Sequence, residues 1–390
     1  MRVAILHPEL GIGGAERLIV DAALGMRQHG HQVVVHTAHH DRAHAFPATC
    51  DGRIAVRVHG AWLPLHVGGY LRAPAAVARM LTITRGALRE PFDAIFCDVL
   101  SHHLPLLRYL ARAPIVFYGH YPDMLLTPPR DPAWYRAYRR PLDHWEESGL
   151  LAADRVLVNS AFTAAAFERV FPRLGGPPQV MYPSVALTPL AGPPPSRCTM
   201  LLSLSRLVPM KNHILALEAF AQLCAQLQPA RTATLRLVIA GGYDTRLAET
   251  VSHVAELEAR AAQLGVGAQV SVRRSPSDAE CQALYNAARI VFFTAPYEHF
   301  GYVPLEAMAA ARPVIAPDSG GPTETVRDGE TGFLRAPTPA AFAAAARLLV
   351  EDDALTDRLG RAGRQRVEQH FSFDRFAAQL DAILRSLRPA

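Results

Sequence analysis

Lysine is almost missing from this chain: of its 40 basic residues only Lys211 is a lysine, and the rest are arginine. A bias of that kind follows codon composition, so a single arginine says little and a lysine that persists against it says more. An ammonium is a compact point charge and a guanidinium a wide planar fork, and only the first fits a tight phosphate site. Chance retention on a solvated surface is the alternative reading. Cysteine is sparse as well. Cys50, Cys97, Cys198, Cys224 and Cys281 are scattered and form no Cys-x-x-Cys pair, which argues against a disulfide framework or a zinc site and for a reducing compartment. Asp-x-Asp does not occur, and none of the three asparagines starts an Asn-x-Ser/Thr sequon. No apolar run approaches the roughly 18 to 20 residues of a membrane span. The opening "MRVAILHPELGIGG" reads as a buried strand and not as a signal peptide.

What is present is a chain of 390 residues, half of them hydrophobic and 19% charged. That is too long for one core and suits two domains of about 190 residues each. The net charge of +5 allows an anionic partner. Apolar runs alternate with amphipathic helical stretches: "RVAILH", "QVVVHTA", "DAIFCDV", "PIVFYG" and "RVLVNS", then "MLLSLSR", "LRLVIAGG", "QVSVRR", "IVFFTAP" and "PVIAPD". Continuous apolar strands separated by helices predict parallel sheets covered on both faces. The expected architecture is α/β, with two doubly wound Rossmann-like domains at 1–185 and 198–371. A proline-rich linker at 186–197 joins them, and a terminal helical segment at 372–390 packs back on the first domain. Ligands of such sheets bind at the carboxyl ends of the strands, so a cleft between the domains is the default site.

Several strand ends carry glycines. "LGIGGAERL" fails the dinucleotide pattern G-x-G-x-x-G because Glu16 stands at the third glycine position. Gly13 and Gly14 either let a sugar or phosphate approach the backbone or form a tight turn. In the second half, "SLSRLVPMKNH" carries Arg206 and Lys211 on one loop, suited to a diphosphate. "AGGYD" and "PDSGGP" end further strands, and Ser277 with Glu280 forms a capping box.

"PYEHFGYVPLEAM" places Glu298 and Glu306 eight positions apart. Pro304 belongs in the first turn of a helix, which puts Glu306 near its second or third position and Glu298 in the loop before it. The N–H groups of Gly301, Tyr302 and Val303 then suit a phosphate, and a carboxylate beside them suits a ribose diol. A first-turn glutamate serving only the helix dipole is the alternative. An acid pair for hydrolysis is disfavoured by the intervening loop.

With these motifs in place the chain resembles the GT-B glycosyltransferases of family 4 over nearly its full length. "HPELGIGGAERLIVDAAL", "WLPL", "YPDMLLT", "RVLVNSAFTAAAFERVF", "VIAGGYD", "EHFGYVPLEAM" and "VIAPDSGGP" are closest to the mannosyltransferases of asparagine-linked glycosylation that extend dolichol-pyrophosphate-linked oligosaccharide. The resemblance implies a GDP-mannose donor, a dolichyl- or polyprenyl-pyrophosphate-linked acceptor, α1,3 and then α1,6 linkages, retention of configuration, and no metal or other cofactor. It assigns Arg206 and Lys211 to the donor diphosphate and Glu306 to the ribose. Glu298, with the amides around Phe300 and Gly301, would hold the mannose, and His120 in "YGHYPD" would stand near the transferring sugar. Gly13 and Gly14 would face the cleft, and Arg274 and Ser275 fall on the turn that binds the base. Another nucleotide sugar or glycan acceptor is the nearest rival, and a non-catalytic glycolipid-binding protein a more distant one. No nucleic acid partner is expected. The resemblance places the protein on the cytosolic face of a membrane. Residues 73–90 align Val77, Met80, Leu81, Thr84 and Leu88 on one helical side, with Arg79, Arg85 and Arg89 off it; both an interfacial helix and a core helix fit that pattern.

Overall fold

The computed structural model describes residues 1–64, 72–126, 133–187 and 199–387. Most of the expected linker, 188–197, lies outside them. The chain divides into two compact units, Met1–Ser184 with Phe373–Ala390, and Val185–Ser372.

The first unit contains β1 (Arg2–Leu6), β2 (Glu9–Leu10), β3 (Gln32–Thr37), β4 (His39–His40), β5 (Ala55–Val58), β6 (Ala94–Asp98), β7 (Ile115–Gly119), β8 (Arg155–Val158) and β9 (Gln179–Val180). Seven of these form one parallel sheet in the order β5-β3-β1-β6-β7-β8-β9, while β2 and β4 pair with each other. Val3, Ala4, Ile5 and Leu6 are wholly buried. An uninterrupted apolar strand needs helices on both sheet faces, and the chain supplies them between strands.

The second unit repeats the plan with β10 (Thr199–Leu204), β11 (Leu235–Gly241), β12 (Val270–Arg274), β13 (Ile290–Phe292), β14 (Val314–Pro317) and β15 (Gly332–Arg335). Their order is β12-β11-β10-β13-β14-β15, again all parallel. In each sheet the chain winds outward one way and then crosses back. The reversal falls between β1 and β6 in one unit and between β10 and β13 in the other. Loops leave the carboxyl ends on opposite sides there, which opens a crevice for a ligand.

The last helix, Phe373–Ser386, belongs to the first unit and packs along the helix Gly14–Gln28. Phe376, Leu380 and Leu384 share a core with Leu18 and Ile19, and His31 bonds Asp381 at 2.7 Å. The helix Arg72–Ala87 turns its apolar side inward: Met80, Ile83 and Ala87 pack with Ile95 and Cys97 beneath the sheet. Arg79 is buried too and pairs with Glu9 at 3.8 Å. This is the core-helix reading of 73–90, because the side that would meet a bilayer already covers the sheet. Among the described residues no helix is long and apolar enough to cross a membrane.

Candidate active site

In the second unit, the connection from β10 carries Arg206 and Lys211 past the switch point. It is held from below by His213, whose buried ring lies between the Ser203 hydroxyl at 2.9 Å and the Ser205 hydroxyl at 3.1 Å. Burial pushes the His213 pKa down to about 4, so it serves as a neutral hydrogen-bonding strut. Gly241 lets the neighbouring loop close on this one: a Cβ there would lie 1.6 Å from the Ser205 carbonyl oxygen. Thr294, just after β13, donates to the Lys211 carbonyl at 2.9 Å.

These constraints bring Lys211 to Glu298, and the two side chains form an ion pair. Both are mostly buried, with 16% and 24% of their side-chain surface exposed. Arg206 on the same loop is exposed and has no carboxylate partner among the described residues. The Glu298 loop is clasped in turn by the turn after β14. Gly321 N–H donates to the Glu298 carbonyl at 2.8 Å. Gly320, at φ +68°, passes so close that a Cβ would stand 2.6 Å from that same oxygen. The glycine pair of "PDSGGP" thus joins one backbone to another.

The helix Tyr302–Ala309 starts after Gly301, whose φ of 84° breaks the chain direction. It therefore begins earlier than the proline suggests. Pro304 is its third residue and Glu306 its fifth, not the second or third position expected from the sequence. One turn further in, Glu306 meets the helix Asp278–Ala287, where the buried Tyr285 hydroxyl donates to its Oε2 at 2.9 Å. The two glutamates have different partners, Lys211 for one and Tyr285 for the other. Gly301 caps this helix, and Tyr302 and Val303 are its first two residues. Phe300 is buried against Tyr302 and Phe371, so its ring belongs to the core and only its backbone borders the loop. Arg274 pairs with Glu258 at 3.0 Å and lies over the Tyr243 ring. Ser275 bonds the Tyr243 backbone, accepting from its N–H and donating to its carbonyl, each at 3.0 Å.

The first unit holds Gly13, Gly14 and His120. Gly13 precedes the helix Gly14–Gln28, and the Glu16 carboxylate folds over it. His120 follows β7 and bonds Asp98, the last residue of β6, at 3.1 Å through Nε2. Asp98 is wholly buried and also binds His7, which follows β1, at 2.7 Å. Neither His7 nor Asp98 emerges from the sequence as a candidate. Each is an ordinary residue in "ILH" or "FCD", and only the order β1-β6-β7 makes them neighbours of His120. Among the described residues no group of three or more His, Cys, Asp or Glu could hold a metal ion.

Two family models cover the chain, one described as Glycosyltransferase Family 4 over residues 12–188 and one as Glycosyl transferases group 1 over residues 192–366. Sucrose-phosphate synthase from Thermosynechococcus elongatus shares the fold with a TM-score of 0.77 at 21% identity, covering 99% of this chain and 98% of its own. Anabaena Alr3699/HepE, solved in complex with UDP and glucose, does so with a TM-score of 0.74 at 23% identity, covering 99% and 100%. Fold and loops together define a GT-B glycosyltransferase, built from two Rossmann-like domains. Among curated proteins, human alpha-1,3/1,6-mannosyltransferase ALG2 is 41% identical, over 97% of this chain and 94% of its own length. The enzymes of the same name from Rhizomucor pusillus and Saccharomyces cerevisiae are 38% identical (99% and 92% covered) and 33% identical (95% and 82% covered). The chain belongs to this alpha-1,3/1,6-mannosyltransferase ALG2 family.

Proposed function

We propose that this protein transfers mannose from GDP-mannose to a lipid-pyrophosphate-linked oligosaccharide, forming an α1,3 and then an α1,6 linkage with retention and without a metal. The family supports the reaction. The observation that carries the site is the pairing of the chain's only lysine with Glu298 at the second unit's switch point, beside Arg206, which has no carboxylate partner among the described residues. In the donor complex the diphosphate takes Lys211 and Arg206, and Glu298 turns to accept hydrogen bonds from mannose hydroxyls. Glu306, steadied by Tyr285, accepts from the ribose diol, and the base lies toward Arg274 and Ser275. As the bond from mannose C1 to the phosphate oxygen breaks, charge grows on the leaving GDP. The two cations and the N-terminus of the helix Tyr302–Ala309 stabilise it. The acceptor oxygen bonds C1 on the same face, and its proton passes to the departing phosphate.

A lipid-linked acceptor requires contact with the membrane's cytosolic face. The helices Leu104–Leu110 and Ala133–Leu150 support that contact: Leu106, Tyr109, Leu110 and Trp134 are exposed on them together with Arg136 and Arg140. Exposed aromatic and basic residues together suit an anionic interface. Incubation with GDP-mannose and synthetic mannosyl-chitobiosyl-pyrophosphoryl lipid, read by mass spectrometry, is expected to give two successive hexose additions. Transfer from a uridine sugar and none from GDP-mannose would overturn the donor assignment.

A further inference from the structure

Three adjacent strands of the first unit, β1, β6 and β7, each deliver one ionisable residue to the carboxyl edge of the sheet, and the three meet in a line: His7, Asp98, His120. We infer that Asp98, backed by His7, is a positioning residue that fixes the His120 ring with its hydrogen on Nε2, so that the Nδ1 lone pair accepts a hydrogen bond from a substrate hydroxyl. The inference rests on the reading that His120 lies beside the transferring sugar.

An ionised carboxylate accepts and cannot donate. Asp98 Oδ2 therefore takes the hydrogen on His120 Nε2, which leaves Nδ1 bare in the neutral ring. No protein group among the described residues bonds that nitrogen, and the His120 side chain is 27% exposed. A buried carboxylate alone would favour a proton on His120 as its counter-charge, and Nδ1 would then become a donor. His7 changes that balance. Its side chain is 1% exposed and its Nδ1 contacts Asp98 Oδ1 at 2.7 Å. Burial works against a charge on His7, yet Asp98 beside it, together with Glu16 and the Glu9 backbone, lifts its pKa above the ordinary value. Asp98 resists burial in the same way, and the two histidines hold its pKa below the ordinary carboxylate value. His7 thus meets the Asp98 carboxylate from its sealed side, and His120 meets it from the open side.

The surrounding groups do not supply a competing charge. Glu16, on the helix Gly14–Gln28, adds to the attraction on His7. His103, at the start of the helix Leu104–Leu110, is wholly buried and pushed down to about 3, so it stays neutral. Burial raises the pKa of Cys97 and keeps it a thiol. Tyr118, on β7, packs its ring 5.4 Å from His120 and donates its hydroxyl to the Met181 carbonyl at 2.8 Å.

The direct test is nitrogen NMR of the full-length protein labelled at histidine, with His120→Gln used to assign the signal. The wild-type spectrum is expected to report the tautomer protonated at Nε2; an Nδ1-protonated His120 overturns the role of Asp98 without touching the sugar-site reading. The kinetic test is His7→Gln, which keeps a neutral donor for Asp98 and removes the charge. Its acid limb in the pH profile of kcat/KM should move to higher pH by about one unit, as expected for removal of a charge that competes for the same carboxylate. An unmoved limb overturns the role of His7. Asp98→Asn presents an amide N–H to His120 and reverses the tautomer, so kcat should fall on the order of 100-fold. KM for GDP-mannose should stay within about twofold, because a positioning defect acts on the transition state more than on ground-state binding. A wild-type rate for His120→Ala overturns the underlying sugar-site reading instead.

Discussion

Removing the charge of Glu298 while keeping its shape, by Glu298→Gln, is expected to tighten GDP binding and slow mannosyl transfer. The opposite signs follow from the ion pair. Without donor, Lys211 is held by Glu298, and a diphosphate can use the ammonium only after separating the two. Unit charges in hydrogen-bond contact, about 3 Å apart, attract by about 1.4 kcal/mol at the dielectric of water and by about 5.5 kcal/mol at an effective dielectric of 20. Side chains 16% and 24% exposed lie between those limits, and desolvation offsets part of the gain. A net cost of roughly 1.4 kcal/mol for freeing Lys211 corresponds to about tenfold in affinity. Titration calorimetry at fixed, low salt should therefore show GDP binding the variant about tenfold more tightly, an advantage that shrinks as salt rises. Transfer should drop on the order of 100-fold, since the amide cannot accept as a carboxylate does from the mannose hydroxyls. Unchanged or weaker GDP binding would refute the exchange and leave the Lys211–Glu298 pair as a fixed strut.

Lys211→Arg should lose most transfer activity even though the charge is kept, because a guanidinium pairs bidentately with Glu298 and yields it less readily to the donor; full activity would return the lysine to chance retention. Wild-type protein should prefer GDP to its 2′-deoxy analogue, and both Glu306→Ala and, more weakly, Tyr285→Phe should erode that preference in competition binding. Gly320→Ala forces a Cβ to 2.6 Å from the Glu298 carbonyl oxygen at φ +68°; urea denaturation should show a loss of about 1–3 kcal/mol, with activity falling as the Glu298 loop shifts. Burial raises the Glu146 pKa from 4.5 to about 7. Between those values the folded state holds a proton that the unfolded chain has released, so stability must fall as pH rises through that window, by on the order of 3 kcal/mol at most. Glu146→Gln should flatten that fall between pH 4.5 and 7.5.

The alternation of apolar runs and helical stretches was enough to read two parallel sheets, because strands buried on both faces leave short continuous apolar runs separated by helical ones. Loops that carry two functional groups close in sequence were legible for a similar reason. Arg206 and Lys211 share one connection, and no knowledge of strand order is needed to put them together. What stayed hidden is every contact made across strands. Lys211 and Glu298 are joined because β10 and β13 are neighbours at the switch point. Tyr285 reaches Glu306 from a different helix. His7 and Asp98 become partners of His120 only through the order β1-β6-β7. The glycines at the strand ends have a further role that only the structure shows. A glycine pair at a strand end reads as a cradle for a ligand, since bare backbone can approach a phosphate. Here Gly241 and Gly320 serve approach of a different kind, backbone against backbone, and so fix the loops that carry Arg206, Lys211 and Glu298.

The same distinction bears on the spacing of Glu298 and Glu306. Positive φ at Tyr297 and Gly301, 55° and 84°, breaks the chain on each side of Glu298. A helix through this stretch would have put the two carboxylates about two turns apart along one axis. The breaks leave Glu298 on a loop held by the Gly320 turn and Glu306 inside a helix held by Tyr285. Each carboxylate is therefore set by its own support, and one can be moved without moving the other. Gly320→Ala should accordingly weaken mannosyl transfer while leaving discrimination between GDP and 2′-deoxy-GDP intact, and Tyr285→Phe should do the reverse. Loss of both properties in either variant would mean that the two glutamates form one unit.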